Sequence, residues 1–304
     1  MNYKTVELTA GQDFSANSAS DALGESLGLM RTMGVKKSLL KKTARILIKL
    51  RISSLFRIRQ QDFILRFYPS SLSRVLWVDQ YLTGECYRQE RKFLTRYLRP
   101  GDVVIDVGAN IGFFTLLYST LVGSQGTVYS IEPHPRTYRF LRGNLALNPV
   151  QNVRTFNCAL GNQNGTIMFS DRKGDDRNSV VTMDPAITVG QKRLDELGIP
   201  DGTIAFLKID VEGYEKFVIE GAGRLLKNVQ CIHFEAIEEH YSRFGYKLQD
   251  LLGMLIDYDF EIFEVNGEKL YSVHPGSYPK FSCNLVAVTD VDAFFKRTGF
   301  SVES

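Results

Sequence analysis

From residue 103 onward, short apolar runs alternate with helical stretches, and that alternation limits the chain to few architectures. Val103–Val107 reads as a strand, Phe113–Val122 as an apolar helix stopped at Gly123, and Thr127–Ile131 as a second strand; Pro135 then opens a helix ending near Asn148. Val153–Leu160, Ile204–Ile209 and Val229–Phe234 read as further strands, with helices expected from about Tyr214 to Leu226 and from Leu248 to Tyr258. Right-handed crossovers place a helix over each pair of parallel strands, so the pattern predicts an α/β fold, a doubly wound sheet covered on both faces. The ending differs. FEIFEV-NG-EKLYSV carries Asn266-Gly267, suited to the positive φ angles of a tight turn, and Asn284–Val288 adds a strand, so an antiparallel edge hairpin is expected.

The 304 residues are 44% hydrophobic and 23% charged, which fits a folded globular protein and excludes collagen-like and wholly disordered chains. The net charge of +3 hides an uneven split: residues 1–61 hold 11 Lys/Arg against 4 Asp/Glu, or +7, leaving 26 against 30, or −4, for residues 62–304. Lys37, Lys41, Arg45 and Lys49 recur every four residues, while Leu39, Leu40, Ile46, Leu47 and Leu50 take another face; this is a basic amphipathic helix. Its apolar face can pack on its own domain. Alternatively, residues 36–59, which contain no acid, can make a peripheral contact with an anionic membrane surface.

The expected organisation is a flexible lead-in over 1–34, the basic helix and a helical cover over 35–100, the sheet domain over 101–290 and a C-terminal tail over 291–304. Cys86, Cys158, Cys231 and Cys283 lie far apart without C-x-x-C spacing, and are expected to be reduced and mostly buried. The polar first thirty residues do not read as a secretory signal, and nowhere do eighteen apolar residues run uninterrupted, so a cytoplasmic protein is expected.

The chemistry concentrates at strand ends. Asp106-Val-Gly108-Ala-Asn110-Ile-Gly112 falls where a strand turns into a helix, a place where glycines admit a ligand to the backbone and helix N–H groups stand unpaired. The spacing is G-x-N-x-G rather than the G-x-G-x-x-G of dinucleotide loops, which argues against NAD. Glu132 ends the next strand, where a carboxylate can accept hydrogen bonds from both ribose hydroxyls of a nucleoside. Asp210 and Glu212 sit at the mouth of the strand in FLKIDVEGYE, and Glu235 ends the following one. An acidic crevice suits a cationic sulfonium better than a pyrophosphate. The plainer reading of Asp210 and Glu212 is helix capping. His134 and His240 are weaker candidates for a general base; His134, after Glu132-Pro133, fits an ordinary helix start better than a catalytic role, and neighbouring acids alone do not call for a metal.

Taken in order, LRPGD into DVGANIGFFT, IEPHP with a helix ending in NLALN, LDEL, LKIDVEGYE and GAGRLL resemble the FkbM family of S-adenosylmethionine-dependent methyltransferases, over about Tyr87 to Val288. The resemblance implies a Rossmann-like seven-stranded sheet with an antiparallel edge, and methylation of a hydroxyl oxygen on a sugar, polyketide or related small molecule. It further implies that Asp106, Gly108, Asn110 and Gly112 hold the methionine part of S-adenosyl-L-methionine, Glu132 its ribose and the strand end at Ala159 its adenine. Asp210 then lies by the cofactor amine or the incoming hydroxyl, with Asp210 and Glu212 as catalytic candidates and no metal. The strand ending in FEA followed by IEEH departs from the family's usual pattern and leaves Glu235 without an assigned role. A nucleotide-binding module, an oxidoreductase, or a methyltransferase acting on nucleic acid or protein are the alternatives. A nucleic-acid partner fits poorly with a catalytic half of −4.

Overall fold

The computed structural model describes residues 36–172, 178–181, 186–277 and 284–303. The lead-in expected over 1–34 and Cys283 lie outside them. Strands β1 (Arg57–Arg59) and β2 (Ile64–Arg66) form an antiparallel pair within the segment expected to be helical; it is wedged between the helices Lys37–Lys49 and Ser71–Asp79 in sequence. The main sheet begins with β3 (Val103–Val107), β4 (Thr127–Ile131) and β5 (Val153–Phe156). Next, β6 (Ala159–Leu160), β7 (Gly165–Ser170) and β8 (Ala186–Lys192) make a separate three-stranded sheet. The main sheet resumes with β9 (Phe206–Ile209), β10 (Cys231–Glu235), β11 (Glu261–Asn266), β12 (Lys269–Ser272), β13 (Asn284–Val288) and β14 (Ser301–Glu303).

Its order is β14-β12-β11-β13-β10-β9-β3-β4-β5. The pairs from β10 through β9, β3 and β4 to β5 are parallel, and β13 runs antiparallel between β10 and β11. The sheet has nine strands rather than the seven that the resemblance implies. Both arms of the expected Asn266-Gly267 hairpin are present, and β14, which is not among the expected strands, adds parallel to β12 and takes the edge from the hairpin. Residues 291–303 are thus not a tail. Asp290 caps the helix Val291–Thr298 by accepting the Ala293 N–H, Gly299 ends it at φ 70°, and buried Phe294 and Phe300 pack within 6.1 Å of the Phe93 ring.

Parallel strands are apolar throughout because both faces are covered. Ile105, Val107, Leu207 and Ile209 enter one core, and the alternate residues Val104, Val128, Phe206 and Cys231 enter the other, with the N-terminal helices. The single strand expected over Val153–Leu160 is broken. Asn157 turns its side chain to the Glu132 and Pro133 carbonyls, and the chain then leaves the main sheet for β8. Among the described residues Cys86, Cys158 and Cys231 are free thiols, and no helix is long and apolar enough to cross a membrane.

Candidate active site

β3, β4, β9 and β10 are mutually parallel, so their carboxyl ends meet along one edge, where ligands of open α/β sheets lie. The turn after β3 has Gly108 at φ +80° and Asn110 at 51°. A Cβ on Gly108 would stand 1.9 Å from the Asp210 carbonyl oxygen, so only glycine lets the ends of β3 and β9 close together. Glu132, 6% exposed, ties this turn to β4. Its Oε2 accepts the Asn110 N–H and its Oε1 the His134 N–H, both at 2.9 Å, so the carboxylate is held at the lip of the cleft.

Asp106 is fully buried. Thr115 donates to its Oδ2 at 2.5 Å, and Lys208, opposite it in the β3–β9 register, brings Nζ to 3.9 Å from Oδ1. Lys208 also lies 2.9 Å from Asp210 Oδ2 and 5.7 Å from the Phe114 ring. Burial opposes the ammonium charge, but Asp210 and Asp106 more than offset it and the Lys208 pKa is raised. For Asp106, burial outweighs the favourable Lys208 charge and raises the carboxyl pKa.

A second group flanks this one. His240 Nδ1 is 3.0 Å from Glu235 Oε2 and 3.6 Å from Glu212 Oε2. Burial, and then the neighbouring carboxylates, push Glu212 up to about 7; burial and Asp210 push Glu235 up to about 7 as well. Glu212, Glu235 and His240 offer ligand atoms within 4.8 Å of one another, a spacing that could also hold a cation. The cleft between the groups has a volume of about 320 Å³, and its charged lining is Glu132, Asp210, Glu212 and Glu235 against Lys208. Leu72 and Val75 of the Ser71–Asp79 helix wall it on the far side.

Of the residues singled out in the sequence, Gly108, Asn110, Glu132, Asp210 and Glu212 line this cleft. Asp106 lies beneath it. Gly112 packs behind the turn, where a Cβ would meet Leu141 Cδ1 at 2.5 Å. Ala159 does not reach the cleft: it is buried in a small cluster with Phe169 and Val189, and Phe169 is the member that faces the opening. Asp210 and Glu212 do not cap the following helix, which has no side-chain cap. His134 does cap one, accepting the Arg136 N–H. Lys208, Glu235 with His240, and Asn284, paired with Glu235 across β10 and β13, complete the setting. Of these, Lys208 was detectable as a single cation inside an apolar strand.

A doubly wound sheet with a glycine turn at the first strand end and an acid at the second defines the nucleoside-binding class of methyltransferase-like folds. Within that class the sequence profile of the Methyltransferase FkbM domain matches residues 106–262, more than half of the 304, and the chain belongs to that family. Among curated relatives, the 31-O-demethyl-FK506 methyltransferase FkbM of Streptomyces tacrolimicus is 44% identical over 68 residues, 22% of this chain and 25% of its own length. The 2-O-methyltransferase NoeI of Sinorhizobium fredii is 25% identical over 56% of this chain and 77% of its own. The hexuronic acid methyltransferase AglP of Haloferax volcanii is 28% identical over 58% and 70%. A crystal structure of a methyltransferase FkbM from Methylobacillus flagellatus KT aligns with 71% of this chain and 54% of its own, at 17% identity and a TM-score of 0.41.

Proposed function

We propose that this protein transfers a methyl group from S-adenosyl-L-methionine to a hydroxyl oxygen of a sugar, polyketide or related small molecule. The observation that carries the reading is the meeting, in one cleft, of the Gly108–Asn110 turn, the tethered Glu132 carboxylate and an acidic rim. These residues fit the cofactor: Glu132 places a carboxylate at the end of the second strand, where ribose hydroxyls are bound in such folds, and Asp210, Glu212 and Glu235 favour a ligand bearing ammonium and sulfonium charge. When bound, the cofactor supplies an electrophilic methyl carbon. Three of the relatives carry O-methylation or methylation of a hexuronic acid in their names, which supports a hydroxyl-bearing acceptor.

The protein's part is alignment and proton transfer. Asp210, held by Lys208, is an anchor for a polar ligand group beside Gly108. Glu212 and Glu235, with His240 3.0 Å from Glu235, form the group that accepts the hydroxyl proton: burial and neighbouring carboxylates push both acids up to about 7, so each can take a proton near neutrality. Glu235 thereby joins Glu212 and His240 as a base candidate. Glu235→Gln should lower kcat by about 10²–10⁴-fold, the usual contribution of general base catalysis, with little change in cofactor affinity. Turnover should persist in excess chelator; loss restored by magnesium would assign the group to a cation instead.

The test is calorimetric titration with S-adenosylhomocysteine, followed by transfer of isotopically labelled methyl to a panel of sugars and polyketide alcohols. Binding and labelling of a hydroxyl are expected. Absence of binding, with tight binding of NADH, would overturn the reading.

A further inference from the structure

The Ser71–Asp79 helix separates two cavities. Its Val75 lines the cleft described above and also a second cavity, of about 490 Å³, on the side of the Lys37–Lys49 helix. Lys37, Lys41, Arg45 and Arg74 all line that second cavity. Three of them come from successive turns of one helix face, and among the described residues none of the four has an ion-pair partner. Two acids also line it: Asp79 accepts from the uncharged Thr83 Oγ1 at 2.6 Å and Cys86 N–H at 2.9 Å, which leave its charge in place, and Glu85 pairs with Arg88 at 3.1 Å, so the cations outnumber the acids in the lining by four to two. The helix begins at Lys36 without a side-chain cap and has no acid in its first turn, so its N-terminal end adds to the positive field beside Lys37.

Four cations held around one concave space repel one another and are stabilised by a multiply charged anion. The two lysines act as point charges, and the two guanidinium groups can engage phosphate oxygens in pairs. We infer that this cavity is the subsite for a phosphate-class anionic group on the methyl acceptor, whose hydroxyl reaches the neighbouring cleft past Val75. The inference rests on the reading of that cleft as the site of methyl transfer. It divides recognition between two electrostatically opposite compartments: an acidic one for the cationic donor and a basic one for the anionic end of the acceptor.

The phosphate can belong to a soluble molecule or to a lipid headgroup. The same helix leaves Leu39, Ile46 and Leu50 between 47% and 60% exposed, within an arc of about 40° at 100° per residue, but that arc is centred about 120–160° around the helix from Lys37, Lys41 and Arg45, which favours the soluble source.

Calorimetric titration with inorganic pyrophosphate, on the full chain, tests the subsite. Wild type should bind, and Lys41→Ala/Arg74→Ala should bind at least tenfold more weakly. Lys42→Ala/Lys49→Ala removes the same charge from outside the cavity and should retain binding. Equal affinity in wild type and the cavity variant, or equal loss in both variants, would overturn the subsite. Retained S-adenosylhomocysteine binding in all three proteins isolates that outcome from a failure of the methyltransferase reading, which would show as no S-adenosylhomocysteine binding in any of them. Vesicles of phosphatidylglycerol identify the source. Sedimentation with them that pyrophosphate reverses and the cavity variant abolishes supports the subsite with a lipid phosphate; pyrophosphate binding without sedimentation supports it with a soluble one.

Discussion

Lys208 stands between two carboxylates, one fully buried and one at the cleft surface. Lys208→Met would leave Asp106 buried without its counter-charge, and breaking a buried pair in this way costs about 3–5 kcal/mol. Urea denaturation should show that loss, and adding Asp106→Asn should recover part of it; an unchanged midpoint in the single variant would remove Lys208 from this role. At Glu132 the expected effect lies on binding. Glu132→Ala should weaken S-adenosylhomocysteine by about 10–100-fold, roughly 1.4–2.8 kcal/mol, whereas Asp210→Ala should chiefly lower turnover. Equal affinity and rate in both variants would refute that division. The acids were legible because each ends an apolar strand. Glu235 was visible as an acid but not as a partner, since His240, five residues on, reaches it only through the chain's turn into the Glu238–Ser242 helix.

The short helix Glu215–Glu220 begins with an acid that is wholly buried; its Oε1 accepts the Val211 N–H at 3.1 Å and its Oε2 has no partner. Burial raises the Glu215 pKa to about 8, above the 4.5 of an ordinary glutamate. Folding therefore favours the protonated form, so this contribution to stability is complete below pH 4.5 and is lost as pH rises through about 8. Thermal unfolding should show Glu215→Gln exceeding wild type in Tm at pH 9 and converging with it at pH 4; a higher Tm for wild type at pH 9 would contradict the assignment. Strand and helix order in the main sheet followed from apolar periodicity, and the Asn266-Gly267 hairpin from its turn residues. The small sheet did not: β7 exposes its first residues and buries its last instead of alternating, the alternation of β8 runs through a glycine and a buried Gln191, and the break at Asn157 depends on carbonyls some two dozen residues earlier in the chain.

Across the molecule, β14 covers the outer edge of β12, and the helix before it joins Phe294 and Phe300 to Phe93 and places Arg297 2.8 Å from Asp102. Deleting residues 291–304 would uncover the β12 edge and the Phe93 and Tyr97 rings that Phe294 and Phe300 cover, a known route to self-association. Size-exclusion chromatography of the truncated chain should show aggregates where the full chain elutes as a discrete species; an unchanged profile would show the edge to be dispensable. The Ser71–Asp79 helix has a different standing, because it belongs to the segment before β3 and contributes only Leu72 and Val75 to a cleft whose other wall is built by strand ends. Under the proposed function, donor recognition and acceptor recognition are encoded in separate stretches of chain. Grafting a different leading segment onto the same sheet is then a rational way to redirect the enzyme to a new alcohol without disturbing its methyl source.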